Sequence, residues 1–350
     1  MSIKETLYIF TSGKLNRKDN TLLLTPSKNE DQNNKTNNKI NNNDNNNNNN
    51  NNYNSNNKIF LPIERIKDIF IFSEITINTK LINFLAANEV IIHFFNYYGY
   101  YTSTLYPREK YLSGELIIKQ VQNYLDTEKR LYLAKCFVLS GIYHILRNLS
   151  KNLSKKNNMI LNYEEIETQV YKTKNIPELM SIEGKIRNIY YQEYFGIDKR
   201  TKKPPLDKIN SLISFGNSLL YSTIITELYY TQLNPIISYL HEPYLRRFSL
   251  ALDISEIFKP IIVDTTIKNL INNDNILDDS NFEQDLNYVF LNEVGKKKFV
   301  KKYKDKLKET TNHRKLKREV SYNFLIRLES YRLIKHFMEE ELYTPLKTWW

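Results

Sequence analysis

The chain has one cysteine, Cys136, among its 350 residues. A single thiol cannot form an internal disulfide, and it excludes metal sites built from several cysteines. Glycine and proline are scarce, at 8 and 10 residues, which disfavours an all-β fold with many tight turns. There is no apolar run of about 18 residues and no basic start followed by an apolar stretch, so neither a membrane span nor a signal peptide is expected. The default expectation is a cytoplasmic protein.

Hydrophobic residues make up 41% of the chain and aromatic residues 13%, enough for a sizeable core. The formal net charge is +11, and the sequence pI is near 9.2. Such a charge favours acidic partners, either nucleic acid or an anionic membrane surface. AT-rich codons also enrich a protein in Asn, Lys, Ile and Tyr. The total charge can therefore reflect either an acidic partner or codon composition, and the local distribution of charge must decide between them.

The pattern predicts an α+β protein, with a small, mainly β N-terminal domain over residues 1–106, a linker over 107–112 and a larger all-α domain over 113–350. In the first domain a helix is predicted over 79–88, capped by Asn78. An asparagine-rich insertion at 29–57 has almost nothing apolar to bury and predicts a disordered surface loop. Strands are predicted at 6–10, 21–24, 59–63, 69–72, 90–95 and 98–105.

From Ser113 onward, apolar residues recur at helical spacing. Asp207 is a suitable N-cap and Pro177 fits a first helical turn. Beyond residue 145, helices are predicted at 163–170, 177–194, 207–230, 246–258 and over much of 281–340.

The segment around Glu183 is the first candidate for chemistry. On a helix, Glu183, Arg187 and Tyr190 share one face. The alternative is an ordinary ion pair at spacing four, worth a few tenths of a kcal/mol. Gly184 weakens that alternative because glycine costs roughly 1 kcal/mol relative to alanine inside a helix. Close approach of another backbone or of a ligand would explain it.

The second candidate is the helix expected around Phe248–Phe258. It is apolar around its whole circumference, as buried helices are. Asp253 and Glu256 interrupt it on the same face, and two buried carboxylates need a nearby cation. An arginine, a protonated histidine or a metal ion could serve. Arg246 and Ser249 lie on the same face, so a purely structural ion pair stays open.

A hard divalent cation would suit these carboxylates together with His241, which directly precedes the helix and is followed by Pro243. Carboxylate oxygens favour Mg²⁺ or Mn²⁺, and an imidazole ligand leans toward Mn²⁺. Two carboxylates and one histidine would leave coordination positions open for a phosphate oxygen and water, and such an ion polarises a phosphoryl group. The other four histidines are expected to be structural.

The third feature is a basic run from Lys296 to Arg318, opposed only by Asp305 and Glu309. It is either a solvated helix face or a surface that contacts the phosphate backbone of DNA. Contacts of this kind position DNA without reading its sequence. The residues predicted to contact DNA are Lys202, Lys203, Arg246, Arg247, Lys296, Lys297 and Lys298.

Together these segments resemble one family. Glu183-Gly184 with Arg187 and Tyr190 resembles the "EG…R…Y" segment of the CRISPR-associated adaptation integrase, the Cas-one family. The resemblance covers the chain nearly end to end, and its closing residues are similar to the subtype I-B branch. Two departures are Gln232, where a glycine is frequent, and Lys259, where an arginine is usual. The other matching segments are 210–221, 233–235, 240–242, 249–260 and 263–264, with 343–345 and 349–350 for the branch.

The resemblance implies that Glu183, His241 and Glu256 coordinate Mg²⁺ or Mn²⁺ and catalyse the reaction, with Asp253, Arg187 and Tyr190 in support. It also implies homodimers, two of which flank a dimer of the Cas-two protein in a heterohexamer that binds prespacer DNA. A DNA 3′-hydroxyl would then attack a phosphodiester of the CRISPR repeat. The alternatives are a stand-alone structure-specific endonuclease with the same site and a non-enzymatic basic DNA-binding scaffold.

Overall fold

The computed structural model describes residues 4–27, 58–152, 162–243, 247–285 and 287–347. Within them the chain forms two compact units, the first from residues up to 97 together with 102–108, and the second from 98–101 together with 109 onward. The predicted asparagine-rich loop at 29–57, Arg246 and the final tryptophan pair lie outside the described residues. The α+β prediction is confirmed, because a strand-rich region precedes a mostly helical one.

The first unit contains two four-stranded sheets. Their strand orders are β1-β5-β7-β8, with β1, β5 and β7 parallel, and β4-β3-β2-β6, with an antiparallel meander from β2 to β4. Asn78 caps the helix as predicted, accepting the backbone N–H of Leu81 at 2.9 Å. The elements are β1 Glu5–Ile9, β2 Gly13–Lys18, β3 Thr21–Pro26, β4 Ile59–Pro62, β5 Ile66–Ile71, β6 Ile75–Thr76, α1 Thr79–Ala87, β7 Ile91–Phe95 and β8 Tyr101–Leu105.

The second unit is mostly helical. Among the described residues, no helix combines the length and apolar character needed to cross a membrane. A π-helix, Lys259–Asp264, joins the seventh and eighth helices. The α-helices are α2 Gly114–Leu125, α3 Thr127–Asn152, α4 Tyr163–Lys172, α5 Ile176–Phe195, α6 Lys208–Tyr229, α7 Ser249–Phe258, α8 Thr265–Asn273, α9 Glu293–Lys308 and α10 Tyr322–Phe337.

Two hairpins in this unit depart from the prediction of helix over much of 281–340. One pairs β9 (Phe282–Asp285) with β10 (Tyr288–Leu291), and the other pairs β11 (Thr310–His313) with β12 (Arg318–Ser321). Strands of four residues place only two side chains on each face, so their period of two is too short to stand out beside helical spacing. The second domain is therefore not all-α.

Caps set the ends of the helices that carry the candidate site. Asn175 accepts the N–H of Glu178 at 2.9 Å, and Pro177 occupies the first turn of α5. Gly196 ends that helix in the left-handed region, at φ 72°. Asp207 caps α6 by accepting the N–H of Asn210 at 2.7 Å. These caps agree with the predictions for Pro177 and Asp207.

A close helix contact holds α7 in place. A Cβ atom added to Gly141 of α3 would lie 2.8 Å from the backbone oxygen of Glu256. That distance is shorter than real carbon contacts allow, so only glycine fits between the two backbones. At Gly184 of α5, by contrast, an added Cβ would meet no described atom within 4 Å apart from its chain neighbours and the adjacent helix backbone. Close approach of another described backbone segment therefore does not explain Gly184.

These two glycines make a matched pair of substitutions. Gly141→Ala should lower the free energy of unfolding by about 1–3 kcal/mol, because the methyl group overpacks the α3–α7 contact. Gly184→Ala should instead raise it by up to about 1 kcal/mol through helix propensity. Urea denaturation followed by circular dichroism measures both. Equal stability of Gly141→Ala and the wild type would contradict the tight contact.

Candidate metal centre

Arg187 lies between two carboxylates from different helices. Its Nε donates to Oε1 of Glu183 at 2.5 Å, and one terminal nitrogen, NH2, donates to Oε2 of Glu256 at 2.5 Å. Burial disfavours the charge of Arg187, but Glu183 and Glu256 raise its pKa well above the ordinary value. Arg187 is therefore the cation beside Glu183 and Glu256 in this conformation, and it joins α5 to α7.

Glu256 has a second cationic partner. Oε1 of Glu256 accepts from Nζ of Lys259 at 2.5 Å. Burial favours the protonated carboxyl, but Lys259, Arg187 and His241 outweigh it and lower the pKa of Glu256 to about 2. Glu256 is thus ionised at neutral pH although only 8% of its side chain is exposed.

Asp253 is fully buried and has a different set of partners. Its carboxylate accepts the backbone N–H groups of Tyr239 at 2.6 Å, Leu240 at 3.0 Å and His241 at 3.0 Å. Its Oδ1 also lies 2.8 Å from Nδ1 of His241. All of these bonds hold the segment that carries His241. Asp253 is therefore placed to support His241.

The contact with Asp253 decides which nitrogen of His241 remains available. A carboxylate can only accept, so Nδ1 carries a proton and donates to Asp253, which leaves Nε2 as the ring nitrogen not engaged by Asp253. Nε2 lies 4.0 Å from Oε1 of Glu256, and 27% of the side chain is exposed. The imidazole thus faces the same carboxylate that Arg187 and Lys259 contact.

Tyr190 is fully buried, and its hydroxyl lies in the interior of the unit. It accepts from Nδ2 of Asn148 at 3.0 Å, and the side chain of Asp264 lies beside it. Asn148 also donates to the backbone oxygen of Pro260 at 2.9 Å. A ring without exposed surface cannot contact DNA, so Tyr190 supports the π-helix behind the site.

Two residues of the π-helix, Lys259 and Asp264, were not predicted as site residues. Asp264 is buried beside Arg187 and Tyr190, and its Oδ2 accepts no hydrogen bond. Burial raises the pKa of Asp264 to about 7, and Arg187 and Tyr190 offset only part of that effect. Helical periodicity could not indicate this pair because a π-turn changes which residues share a face.

The predicted DNA-contact residues fall in different places. Burial and the charges of Lys259 and Arg200 lower the pKa of Lys202, while Glu256 and Glu183 raise it, so Lys202 stands near the acids. Lys203 lies over the ring of Tyr100, at 5.2 Å.

The basic run has both exposed and buried members. Lys297 and Lys298 are exposed on α9, whereas Lys296 is 6% exposed and was wrongly assigned to the surface. The run as a whole spans α9 and the β11–β12 hairpin.

Arg247 lies outside this run. Its guanidinium lies 5.1 Å from the ring centroid of Phe248.

The donor set has the composition of a site for a hard divalent ion. Glu183 and Glu256 are carboxylates aimed at one guanidinium, and Nε2 of His241 lies 4.0 Å from Glu256. In the described part of the chain, no three His, Cys, Asp or Glu side chains stand close enough to share a metal ion in this conformation. Arg187 and Lys259 instead supply the positive charge.

Comparisons with known proteins point to one family. The family model "CRISPR associated protein Cas1" matches residues 7–305. "CRISPR-associated endonuclease Cas1 3" of Thermodesulfovibrio yellowstonii is 45% identical over 353 residues, covering 98% of this chain and 99% of the relative. "CRISPR-associated endonuclease Cas1 2" of Moorella thermoacetica is 43% identical over 350 residues, covering 99% of each.

Solved structures show the same fold. A CAS1 protein from Thermotoga maritima superposes with a TM-score of 0.81 at 36% identity, covering 98% of this chain and all of that one. A casposase bound to integration product superposes with a TM-score of 0.78, covering 98% of this chain and 92% of that one. Its identity of 19% supports likeness of fold alone.

The raised pKa of Asp264 predicts a pH dependence of stability. Between its ordinary value of 3.8 and about 7, the folded protein keeps a proton that the unfolded chain has released. Asp264 therefore reduces stability as the pH rises through this window. The measured quantity is the free energy of unfolding of Asp264→Asn minus that of the wild type. This difference should be about 1–3 kcal/mol larger at pH 8 than at pH 5.

Urea unfolding at both pH values measures this difference. The control is Asp198→Asn at an exposed position, for which no such difference is expected. A difference of the same size in both variants, or none in Asp264→Asn, would contradict the assignment.

Proposed function

This chain belongs to the CRISPR associated protein Cas1 family, the endonuclease and integrase family of CRISPR adaptation, and from that membership we propose that it joins prespacer DNA 3′-hydroxyl ends into a CRISPR repeat by metal-dependent transesterification. One observation carries the proposal. Glu183 and Glu256, from separate helices, converge on one cation, and Nε2 of His241 faces Glu256 at 4.0 Å. These side chains bring carboxylate oxygens and an imidazole nitrogen together at one partly exposed place in a basic protein.

The proposed ligands of Mg²⁺ or Mn²⁺ are Glu183, His241 and Glu256. Glu256 is already ionised, and Nδ1 of His241 is engaged by Asp253 on the side away from Glu256. Glu256 therefore needs no deprotonation before it binds a cation. A bound divalent ion would supply Lewis-acid stabilisation of the attacked phosphate and of the leaving oxygen. It would compete with Arg187 and Lys259 for the same carboxylate oxygens.

The other residues of the site act on position and charge. Asp253 holds the proton on Nδ1 of His241 and keeps the ring oriented toward Glu256. Lys202 and Lys259 place positive charge beside the acids, where a phosphodiester would be attracted. Transesterification exchanges one phosphodiester bond for another, so stabilising charge and orienting the two strands is the main task of the protein.

The proposed DNA surface combines Lys202 and Lys203 near the site with the exposed Lys297 and Lys298 on α9. Lys296 is buried beneath that surface, so it can add positive charge there but cannot contact DNA along its side chain. Arg247 and Arg246 belong to the same proposal, the latter outside the described residues. These contacts would bind DNA without reading its sequence, and they would weaken with salt.

The proposed assembly is a homodimer, two copies of which flank a Cas2 dimer in a heterohexamer. Structural neighbours include a chain of a Cas6-RT-Cas1–Cas2 complex, with a TM-score of 0.75 at 15% identity. Another is TtCas1 in a DNA complex, with a TM-score of 0.53. The Cas2 and DNA partners are those of these neighbours, and the shared fold supports the same partners for this protein.

Hydrolysis of DNA at the same site is the second candidate, favoured by the endonuclease names of relatives at 45% and 43% identity. Water would then replace the 3′-hydroxyl as the attacking group. Both reactions break a phosphodiester bond with the same charge development. Joined and cleaved products distinguish them.

Three substitutions test the function. Glu183→Ala, His241→Ala and Glu256→Ala should each lower strand joining by about a hundredfold or more, because each removes one proposed ligand. The assay joins a short duplex to a repeat-containing plasmid with Mn²⁺, with and without Cas2, and chelation of the metal should abolish joining. Calorimetry should show weaker Mn²⁺ binding in each variant.

The matched control is Glu193→Ala, at an exposed position of α5, which should join DNA as the wild type does. Undiminished joining by the Glu183 or Glu256 variant would reject the metal site. The hydrolytic alternative would be favoured if the wild type cleaves DNA without joining it and the variants lose that cleavage.

A further inference from the structure

His241 lies between the end of α6 at Tyr229 and the start of α7 at Ser249, and the described residues 230–243 around it form neither helix nor strand. Such a segment does not set the direction of a side chain by itself. Asp253 holds its N–H groups from one side. Further hydrogen bonds to it come from α2 and α3, and Phe337 of α10 stacks on the ring of Tyr239 at 5.5 Å. None of these three helices contains a proposed ligand.

Gln120 of α2 anchors the beginning of this segment. Its amide nitrogen donates to the backbone oxygen of Asn234 at 3.2 Å, and its amide oxygen accepts the N–H of Asn234 at 2.9 Å. The hydroxyl of Tyr239 donates in turn to the backbone oxygen of Gln120 at 3.1 Å. The side chain of Gln120 is fully buried, so these bonds are shielded from water.

Arg130 of α3 holds the end of the segment. Its Nε donates to the backbone oxygen of Tyr239 at 3.0 Å, and NH2 donates to Oε1 of Glu242 at 2.7 Å. Tyr124 donates to the other oxygen of Glu242 at 3.3 Å, and its ring lies 4.5 Å from the guanidinium carbon of Arg130. One planar guanidinium thus contacts the chain two residues before His241 and one residue after it.

We propose that Arg130 is a positioning residue for His241, which it holds by clamping the backbone of Tyr239 and the carboxylate of Glu242. The inference rests on the proposed role of His241 as a metal ligand. Asp253 fixes the proton on the imidazole, and Arg130 fixes where the segment stands relative to α7. A guanidinium can make both bonds at once because its donors form a rigid fork, whereas a lysine is a single point of charge.

The test measures the Mn²⁺ dissociation constant by calorimetry for Arg130→Met, Arg130→Lys and Lys129→Met. Arg130→Met should raise the dissociation constant about tenfold, in the range expected when support for a metal ligand is lost. Arg130→Lys should give an intermediate increase, since it keeps the charge but loses the fork. Lys129→Met, at the neighbouring exposed position, should bind Mn²⁺ as the wild type does or slightly more tightly.

The sign of the change separates positioning from charge. Loss of a positive charge favours the binding of a cation, so weaker Mn²⁺ binding by Arg130→Met cannot come from electrostatics. A merely structural role would lower the melting temperature of Arg130→Lys and leave its metal affinity unchanged. Nitrogen chemical shifts of the His241 ring give a second readout, since a mixed tautomer population is expected in Arg130→Met.

Mn²⁺ binding by Arg130→Met and Arg130→Lys within twofold of the wild type would overturn the inference. Arg130→Lys decides alone if Arg130→Met does not fold. His241→Ala tells the two levels of the proposal apart. When His241→Ala binds Mn²⁺ weakly and the Arg130 variants bind normally, only the clamp is wrong. When His241→Ala binds Mn²⁺ normally, the ligand assignment fails and the clamp fails with it.

Discussion

The ion bridge from Glu183 through Arg187 to Glu256 is the interaction on which the rest of the candidate site depends. Two carboxylates in the interior repel each other and lose hydration, so they persist as anions only beside a cation. Removing one partner of such a buried pair typically costs about 3–5 kcal/mol. The bridge therefore joins α5 to α7, and Arg187 contributes to the lowered pKa of Glu256.

The surrounding structure serves this arrangement in separate ways. Gly141 lets α3 approach the backbone of α7 at Glu256. The π-helix places Lys259 against Glu256 and leaves Asp264 beside Arg187. Asp253 commits its carboxylate to the His241 segment. Among the proposed donors, Glu256 is ionised and already has Arg187 and Lys259 as cationic partners.

Much of this could be predicted from sequence, because caps and charged residues in apolar helices are local signals. Pro177 and Asp207 predicted where α5 and α6 begin. The interruption of an apolar helix by two acids indicated Asp253 and Glu256 as candidate site residues. The partner of Glu256 could not be predicted in the same way. Helical spacing suggests Arg246 as a cationic partner because it shares a face of the predicted helix with the two acids. Arg187 instead reaches Glu256 from another helix, 69 positions away. Lys259 and Asp264 depend on a π-turn, and the hairpins on strands too short to show a period.

The most direct test of the central claim is anomalous diffraction from crystals of the protein grown with Mn²⁺. The account predicts one manganese ion within about 2.0–2.4 Å of a carboxylate oxygen of Glu183, a carboxylate oxygen of Glu256 and Nε2 of His241. Arg187 should no longer bridge the two acids. A map with Arg187 still between Glu183 and Glu256, and with manganese absent from these residues, would contradict it.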